Sequence, residues 1–190
     1  LPRREPPPVV RPSPRVEQPA EAAWIPPKGI SRRWRYIVIH HSADNRSTPD
    51  GMRAWHLKKG WDGLGYHFVV GNGVGYPDGK VFVGERWTSQ KHGAHARSPD
   101  YPDNRWNEHG IGICLVGNFQ NTPPTSRQLD ALAELVAFLC RKCNIATSQI
   151  YTHGDVDRFT ACPGKLFPAA QFKRRLAAAS GAPVVRAASR

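Results

Sequence analysis

The chain has 190 residues, 27 of them Lys or Arg against 15 Asp or Glu, for a formal net charge of +12. That length suits one domain with extensions rather than two full domains. No stretch approaches the roughly 20 apolar residues that a membrane-spanning helix needs, so no membrane-spanning helix is expected within these residues. The charge is uneven. Residues 1–33 hold seven basic and three acidic residues and residues 171–190 hold five basic and no acidic ones, so the stretch between them carries an excess of only +3. Basic ends suit a polyanion such as nucleic acid, anionic lipid or an acidic wall polymer, and serve solubility equally well.

Residues 1–30 read as a Pro-rich basic leader. Pro6-Pro7-Pro8, Pro12, Pro14 and Pro26-Pro27 favour extended chain, with few residues to form a core. The folded domain is expected over 31–179, with a basic tail at 180–190. Trp34 to His40 reads as a buried strand, aromatic and β-branched. Asp50 to Lys59 reads as a short helix with Met52 and Trp55 on one face and Gly60 as its stop. Gly65 to Val70 is a second strand. The turn signals Asn72-Gly73 and Asp78-Gly79 follow, then a third strand at Lys80–Val83. Residues 84–110 have no period and read as loops facing a ligand. Ile111 to Val116 is apolar on both faces and is expected at the sheet centre. Thr125-Ser126 opens an amphipathic helix through Leu129, Leu132, Leu135, Val136 and Leu139. A short strand, Gln149–Thr152, leads into His153, and Leu166 to Ala179 reads as the last helix. Strands interleaved with helices indicate a mixed α/β domain around one sheet.

Two distant segments carry chemistry. Tyr36-Ile37-Val38-Ile39-His40-His41-Ser42 ends a strand in two histidines, and His153 and Cys162 share one loop. Two imidazoles and a thiolate leave a fourth zinc position for water, the arrangement of catalytic rather than structural zinc. Side chains alternate along a strand, so one of His40 and His41 can face a given ion while the other turns away. Alternation does not say which. The four cysteines, Cys114, Cys140, Cys143 and Cys162, leave three over if Cys162 binds metal, so the redox compartment is not decided. Cys140-Arg141-Lys142-Cys143 closes a helix instead of opening one after a strand, and reads as structural.

Five ordered blocks make the chain recognisable: Ile37–Ser42, Gly65-Tyr66-His67-Phe68, Gly93-Ala94-His95-Ala96, Ile111–Phe119 and Thr160-Ala161-Cys162-Pro163-Gly164. Over residues 34–170 the chain resembles the zinc-dependent N-acetylmuramoyl-L-alanine amidases of the phage-lysozyme and peptidoglycan-recognition-protein type. The resemblance implies a mixed central sheet flanked by helices and a groove floored by Zn2+. It implies hydrolysis of the amide between the lactyl group of N-acetylmuramic acid and L-alanine of the stem peptide by zinc-activated water. By position it assigns His40, His153 and Cys162 as metal ligands and Tyr66 as the active-site tyrosine, and it sets Thr160 where recognition-protein amidases commonly have threonine. Thr160 and the Tyr66 hydroxyl are candidate donors to the oxyanion, with orienting the water or passing a proton the alternative roles of Tyr66. In two respects this chain departs from the pattern. The His153–Cys162 spacing is one residue longer than in many members, so the loop is expected to bulge, and Gly154 stands where arginine is frequent.

His67, His95, Arg97 and Asn118 are expected to line the groove for substrate, with a buried, structural place on the opposite face of its strand the alternative for His67. Trp55, Trp61, Trp87 and Trp106 read as core residues before sugar platforms, with Trp87 and Trp106, in the irregular segment, the better platform candidates of the four. The expected partner is peptidoglycan or a muropeptide, with no specific nucleic acid, no transmembrane segment and a monomeric state. The Pro-rich leader and a start at Leu1 point to the cell envelope, periplasmic or secreted. The alternative function is a recognition module that holds muropeptide without cutting it.

Overall fold

The computed structural model describes residues 19–181; the rest of the expected leader and nearly all of the expected tail lie outside the described residues. In chain order the elements are α1 (Pro19–Ala23), β1 (Tyr36–His41), α2 (Pro49–Lys58), β2 (Phe68–Val70), β3 (Val81–Val83), α3 (Glu85–Thr88), α4 (Arg105–Glu108), β4 (Gly110–Leu115), α5 (Ser126–Cys143), β5 (Ile150–Thr152), α6 (His153–Val156) and α7 (Ala169–Ala179). A 3-10 turn, Thr147–Gln149, precedes β5.

The five strands form one mixed sheet in the order β3-β2-β4-β1-β5. β1 lies parallel to both β4 and β5, β2 is parallel to β4, and β3 closes the far edge antiparallel to β2. The apolar run at 111–116 is therefore central, as its lack of a polar face implies.

One face of the sheet carries the main core. Ile37, Ile39, Phe68, Val70, Ile111, Ile113 and Leu115 meet Leu129, Leu132, Leu135, Val136 and Leu139 of α5, with Phe172 and Leu176 of α7 behind them. The start of α5 is set by a reciprocal capping box, Thr125 with Gln128, and its end by Asn144 in the left-handed region. The Gln128 amide also donates to the carbonyls of Val70 (3.2 Å) and Val116 (2.8 Å), which ties the helix start to the ends of β2 and the β4 segment. The opposite face holds two smaller clusters. Val38 packs with Ala96, Trp106 and Val156, and Val69, Cys114 and Val116 pack with Met52 and Leu64. That face also carries the His40 side chain.

Three sequence expectations are corrected. The leader does contribute to the core: Trp24 is 4% exposed, its ring meets Phe138 edge-on at 5.4 Å, and its carbonyl accepts from Trp87 Nε1 at 2.7 Å. The buried face of α2 is Pro49, Met52 and His56, and Trp55 points outward. The segment 84–110 includes two helical turns, α3 and α4, that bury Trp87 and Trp106.

Truncation of a buried tryptophan removes its packing and leaves a cavity. Trp24→Ala is expected to lower stability by about 3–5 kcal/mol in urea denaturation. Ile25→Ala, at an exposed neighbouring site, should shift it by less than about 0.5 kcal/mol. Equal midpoints for the two variants would show that the Trp24 contact does not stabilise the fold.

Candidate metal centre and groove

The end of β1 separates the two histidines. His40, level with Cys114 of β4, faces the groove side, and His41, level with Leu115, turns to the main-core side. There the His41 ring packs 5.6 Å from Phe119, and its Nδ1 accepts from the Phe119 N–H at 3.1 Å. His40 is 1% exposed and its ring lies 4.5 Å from His153 and 5.2 Å from Tyr66.

His153 opens α6 directly after β5. The nine-residue span to Cys162 is taken up by this helical turn and an Asp157-centred loop, and is closed where the Gly154 N–H donates to the Cys162 carbonyl at 2.7 Å. Gly154 sits against the Cys162 and Thr160 carbonyls. Gly164, at φ +106°, lets the chain after Cys162 pass where a Cβ would come within 2.5 Å of Phe119 backbone.

One donor atom from each of His40, His153 and Cys162 lies within 4.8 Å of the others. Cys162 Sγ is 3.9 Å from His40 Nδ1. An imidazole nitrogen and a thiolate sharing a tetrahedral zinc are about 3.6 Å apart, so the set fits that ion with small adjustment. The chemistry fits as well. Burial holds His40 far below the usual imidazole range, with His95, His153 and His41 adding to it, and burial also lowers His153. Both rings are then neutral, as ligands must be. Burial pushes the Cys162 thiol up to about 11, against the pull of the His41 N–H that its sulfur accepts at 3.3 Å. A cation in the site reverses that preference and takes the thiolate.

Tyr66 is half-buried, and its hydroxyl meets the Cys114 thiol. Burial first, then the two nearby cysteines, keeps this phenol protonated far above its usual range. Thr160 is half-buried and its Oγ1 accepts from the Cys162 N–H at 3.2 Å, leaving its own hydrogen free to donate.

The expected substrate residues separate. His67 is 0% exposed; its Nδ1 accepts from the Gly112 N–H (2.9 Å) and its Nε2 donates to the Lys91 carbonyl (3.1 Å), so both nitrogens are committed inside the protein. His95 is also buried, with Nδ1 at 3.0 Å from His40 Nε2 and Nε2 at 3.2 Å from the Gly110 carbonyl. Neither lines an open groove. Arg97 is exposed on the following loop. Asn118 is half-buried and shapes a turn, its Oδ1 accepting from the Gln120 N–H at 3.1 Å. The core reading holds for Trp87 and Trp106, at 0% and 6% exposed, and is corrected for Trp55 and Trp61, at 54% and 37% exposed.

A recess of about 120 Å³ beside Tyr66 is lined by Ser42, Met52, Trp55 and His56. His56 stacks on Trp61 at 4.5 Å, and its Nδ1 accepts from the Gly65 N–H at 3.1 Å, one residue before Tyr66. Sequence reasoning passed over His56. Its signal was the spacing of Pro49, Met52 and His56 at three and four residues, the buried face of a short helix. A larger cavity, about 780 Å³ between β5 and α7, lies on the other side of the sheet and includes none of the three donors.

The sequence profile of the N-acetylmuramoyl-L-alanine amidase family matches residues 30–165, and the chain belongs to that family. Among curated relatives, peptidoglycan-recognition protein SC2 of Drosophila melanogaster is 32% identical over 139 residues, 68% of this chain and 67% of the relative. Peptidoglycan-recognition protein LB of the same organism is 34% identical over 140 residues, 68% of this chain and 54% of the relative. Among solved structures, the amidase LysC from Clostridium intestinale aligns with a TM-score of 0.64 at 34% identity, over 76% of this chain and 86% of that one. Drosophila PGRP-LB aligns at 0.56 and 32% identity, over 74% and 81%. Among the described residues no helix is long and apolar enough to cross a membrane.

The buried histidines set an acid limit on the metal-free fold. Burial lowers His56 to about 4 and His95 to about 3, and holds His67 far below its usual value. The folded state thus binds fewer protons than the unfolded one between these values and roughly 6.5, so stability is full above about pH 6.5 and is lost as pH falls. Each such group costs up to about 1.4 kcal/mol per pH unit in that window. Urea denaturation at pH 7.5 and 5.5 should show a clear loss at the lower pH; equal stability would mean that these rings are charged in the fold.

Proposed function

We propose that the protein is a zinc-dependent amidase that hydrolyses the bond between the lactyl group of N-acetylmuramic acid and L-alanine of the stem peptide. The observation that carries this reading is the approach of one donor atom each from His40, His153 and Cys162 to within 4.8 Å, with Tyr66 beside His40. A module that only holds muropeptide has no use for three converging, uncharged metal donors and a protonated phenol at one point.

Zinc, when bound by these three residues, would lower the pKa of a coordinated water to about 7 and polarise the scissile carbonyl. The chain's own groups do the rest. The His41 N–H bonded to Cys162 Sγ holds the sulfur in place. The Tyr66 hydroxyl stays protonated, so it acts as a hydrogen-bond donor toward the developing oxyanion rather than as a base. Thr160 can add a second donor, since its hydrogen is free while its oxygen caps the Cys162 amide. The recess of Ser42, Met52, Trp55, His56 and Tyr66 would take the part of the muropeptide next to the cut bond, with the exposed face of Trp55 at its rim. Arg97 and Asn118 are proposed to flank the substrate from the other loops. An enzyme of this kind would work in the cell envelope as a monomer, and the basic excess would favour an anionic wall.

Chelation should abolish release of stem peptides from muropeptide, followed by mass spectrometry, and added zinc should restore it. Cys162→Ser should lose most zinc and turnover while keeping its fold. Tyr66→Phe should keep zinc and lower kcat by about 10²–10³. Metal-free protein with full activity would sink the zinc mechanism, and tight binding of muropeptide that stays intact in the presence of zinc would leave only recognition.

A further inference from the structure

We propose that His95 is a positioning residue that holds His40 in its Nε2-protonated tautomer and so turns the Nδ1 lone pair toward the metal. The proposal rests on the zinc reading above and deepens it.

The argument starts at a group that cannot change role. The Gly110 carbonyl can only accept, so His95 Nε2, 3.2 Å away, carries the hydrogen. A neutral imidazole has one N–H, and among the described residues no carboxylate hydrogen-bonds either ring to favour a second. His95 Nδ1 is therefore a lone pair. His40 Nε2 lies 3.0 Å from it and must donate. His40 Nδ1 is then left unprotonated, on the side where Cys162 Sγ lies at 3.9 Å. The other tautomer would set two lone pairs against each other and put a hydrogen where the metal must bind. Second N–H groups of metal-binding histidines usually go to a carboxylate or a carbonyl. Here an imidazole passes the carbonyl's demand one ring further.

The surroundings are shaped for this ring. A Cβ on Gly112 would come within 2.4 Å of His95 Cδ2, and one on Gly93 within 2.3 Å. The two glycines form a slot that the imidazole fills, flat against β4. The side-chain oxygen of Asn107 accepts from the N–H groups of His95 (2.7 Å) and Ala96 (3.0 Å), which fixes the backbone that presents the ring. The position expected to touch substrate thus supports the metal ligand from behind.

Long-range 1H–15N correlation on the metal-free, 15N-histidine-labelled protein at neutral pH reads the tautomers directly. Both His40 and His95 should be protonated at Nε2 alone; an Nδ1–H form of either overturns the proposal. Zinc affinity, measured by competition with a chromophoric chelator, gives the consequence. His95→Leu should weaken binding about 10–100-fold. His95→Asn, which keeps an acceptor near the Nδ1 position, should recover most of it. Gly112→Ala, which removes no polar side chain but fills the slot, should lose affinity as His95→Leu does. Thermal unfolding identifies any variant that has not folded, and the wild-type tautomers decide the proposal without it. A folded His95→Leu protein with wild-type zinc affinity would overturn the role assigned to His95. Wild-type protein with the expected tautomers but no zinc binding would overturn the functional reading and leave the relay standing.

Discussion

The pairing of β1 with β4 on one side and β5 on the other carries the rest of the site. A strand hydrogen-bonded along both edges and covered on both faces has no freedom to rotate, so its alternation becomes a strict division of side chains. Ile37, Ile39 and His41 go to one face, Val38 and His40 to the other. The same pairing sets the distance between the ligand segments. β5 ends beside β1 and releases the chain straight into His153, and the loop that follows returns Cys162 so that its sulfur accepts from the His41 N–H. One strand end therefore supplies a candidate ligand ring on one side and an anchoring amide for another candidate ligand.

The site is built of groups that burial leaves uncharged. Three imidazoles crowd together there with a thiol that keeps its proton, and among the described residues no carboxylate hydrogen-bonds the rings of His40 or His95. Such a cluster gains little from its own electrostatics and would profit from a cation, whose charge compensates the thiolate and uses the lone pairs. The stabilising elements lie around it instead. The Gly154 amide closes the ligand loop, Gln128 joins α5 to the sheet, and the buried Arg86 reaches the Leu64 carbonyl and the Asp62 carboxylate near the Tyr66 segment. Rigid neighbours hold groups that would not hold one another.

Much of the fold was legible because it is periodic. The apolar runs at 37–39 and 111–116 and the three-and-four spacing of α5 state their own burial. What misled is the burial of single residues in aperiodic stretches. Trp24 lies in a Pro-rich segment whose composition argues for extended chain, yet one large ring docked on Phe138, with its carbonyl held by Trp87 Nε1, suffices to bury it. Trp87 and Trp106 lie where substrate loops were expected, but short helical turns carry them inward. Trp55 and Trp61 have the composition of core and remain exposed, because His56 takes the buried place on α2. A histidine is polar enough to be read as functional, and His67 shows how two backbone partners can satisfy it inside the protein.

By itself the sequence determined the mixed α/β architecture, the central strands, the main helix and, through the order of its motif blocks, the family and the residues to consider as ligands. These follow from local pattern, which the chain carries at every position. Only the tertiary structure decided which face each end of β1 presents, how the His153–Cys162 loop closes and that His95 stands behind His40 rather than over the groove. Those outcomes depend on contacts between residues 55 to 122 positions apart, such as His40 with His95 and with Cys162, and no local period records them.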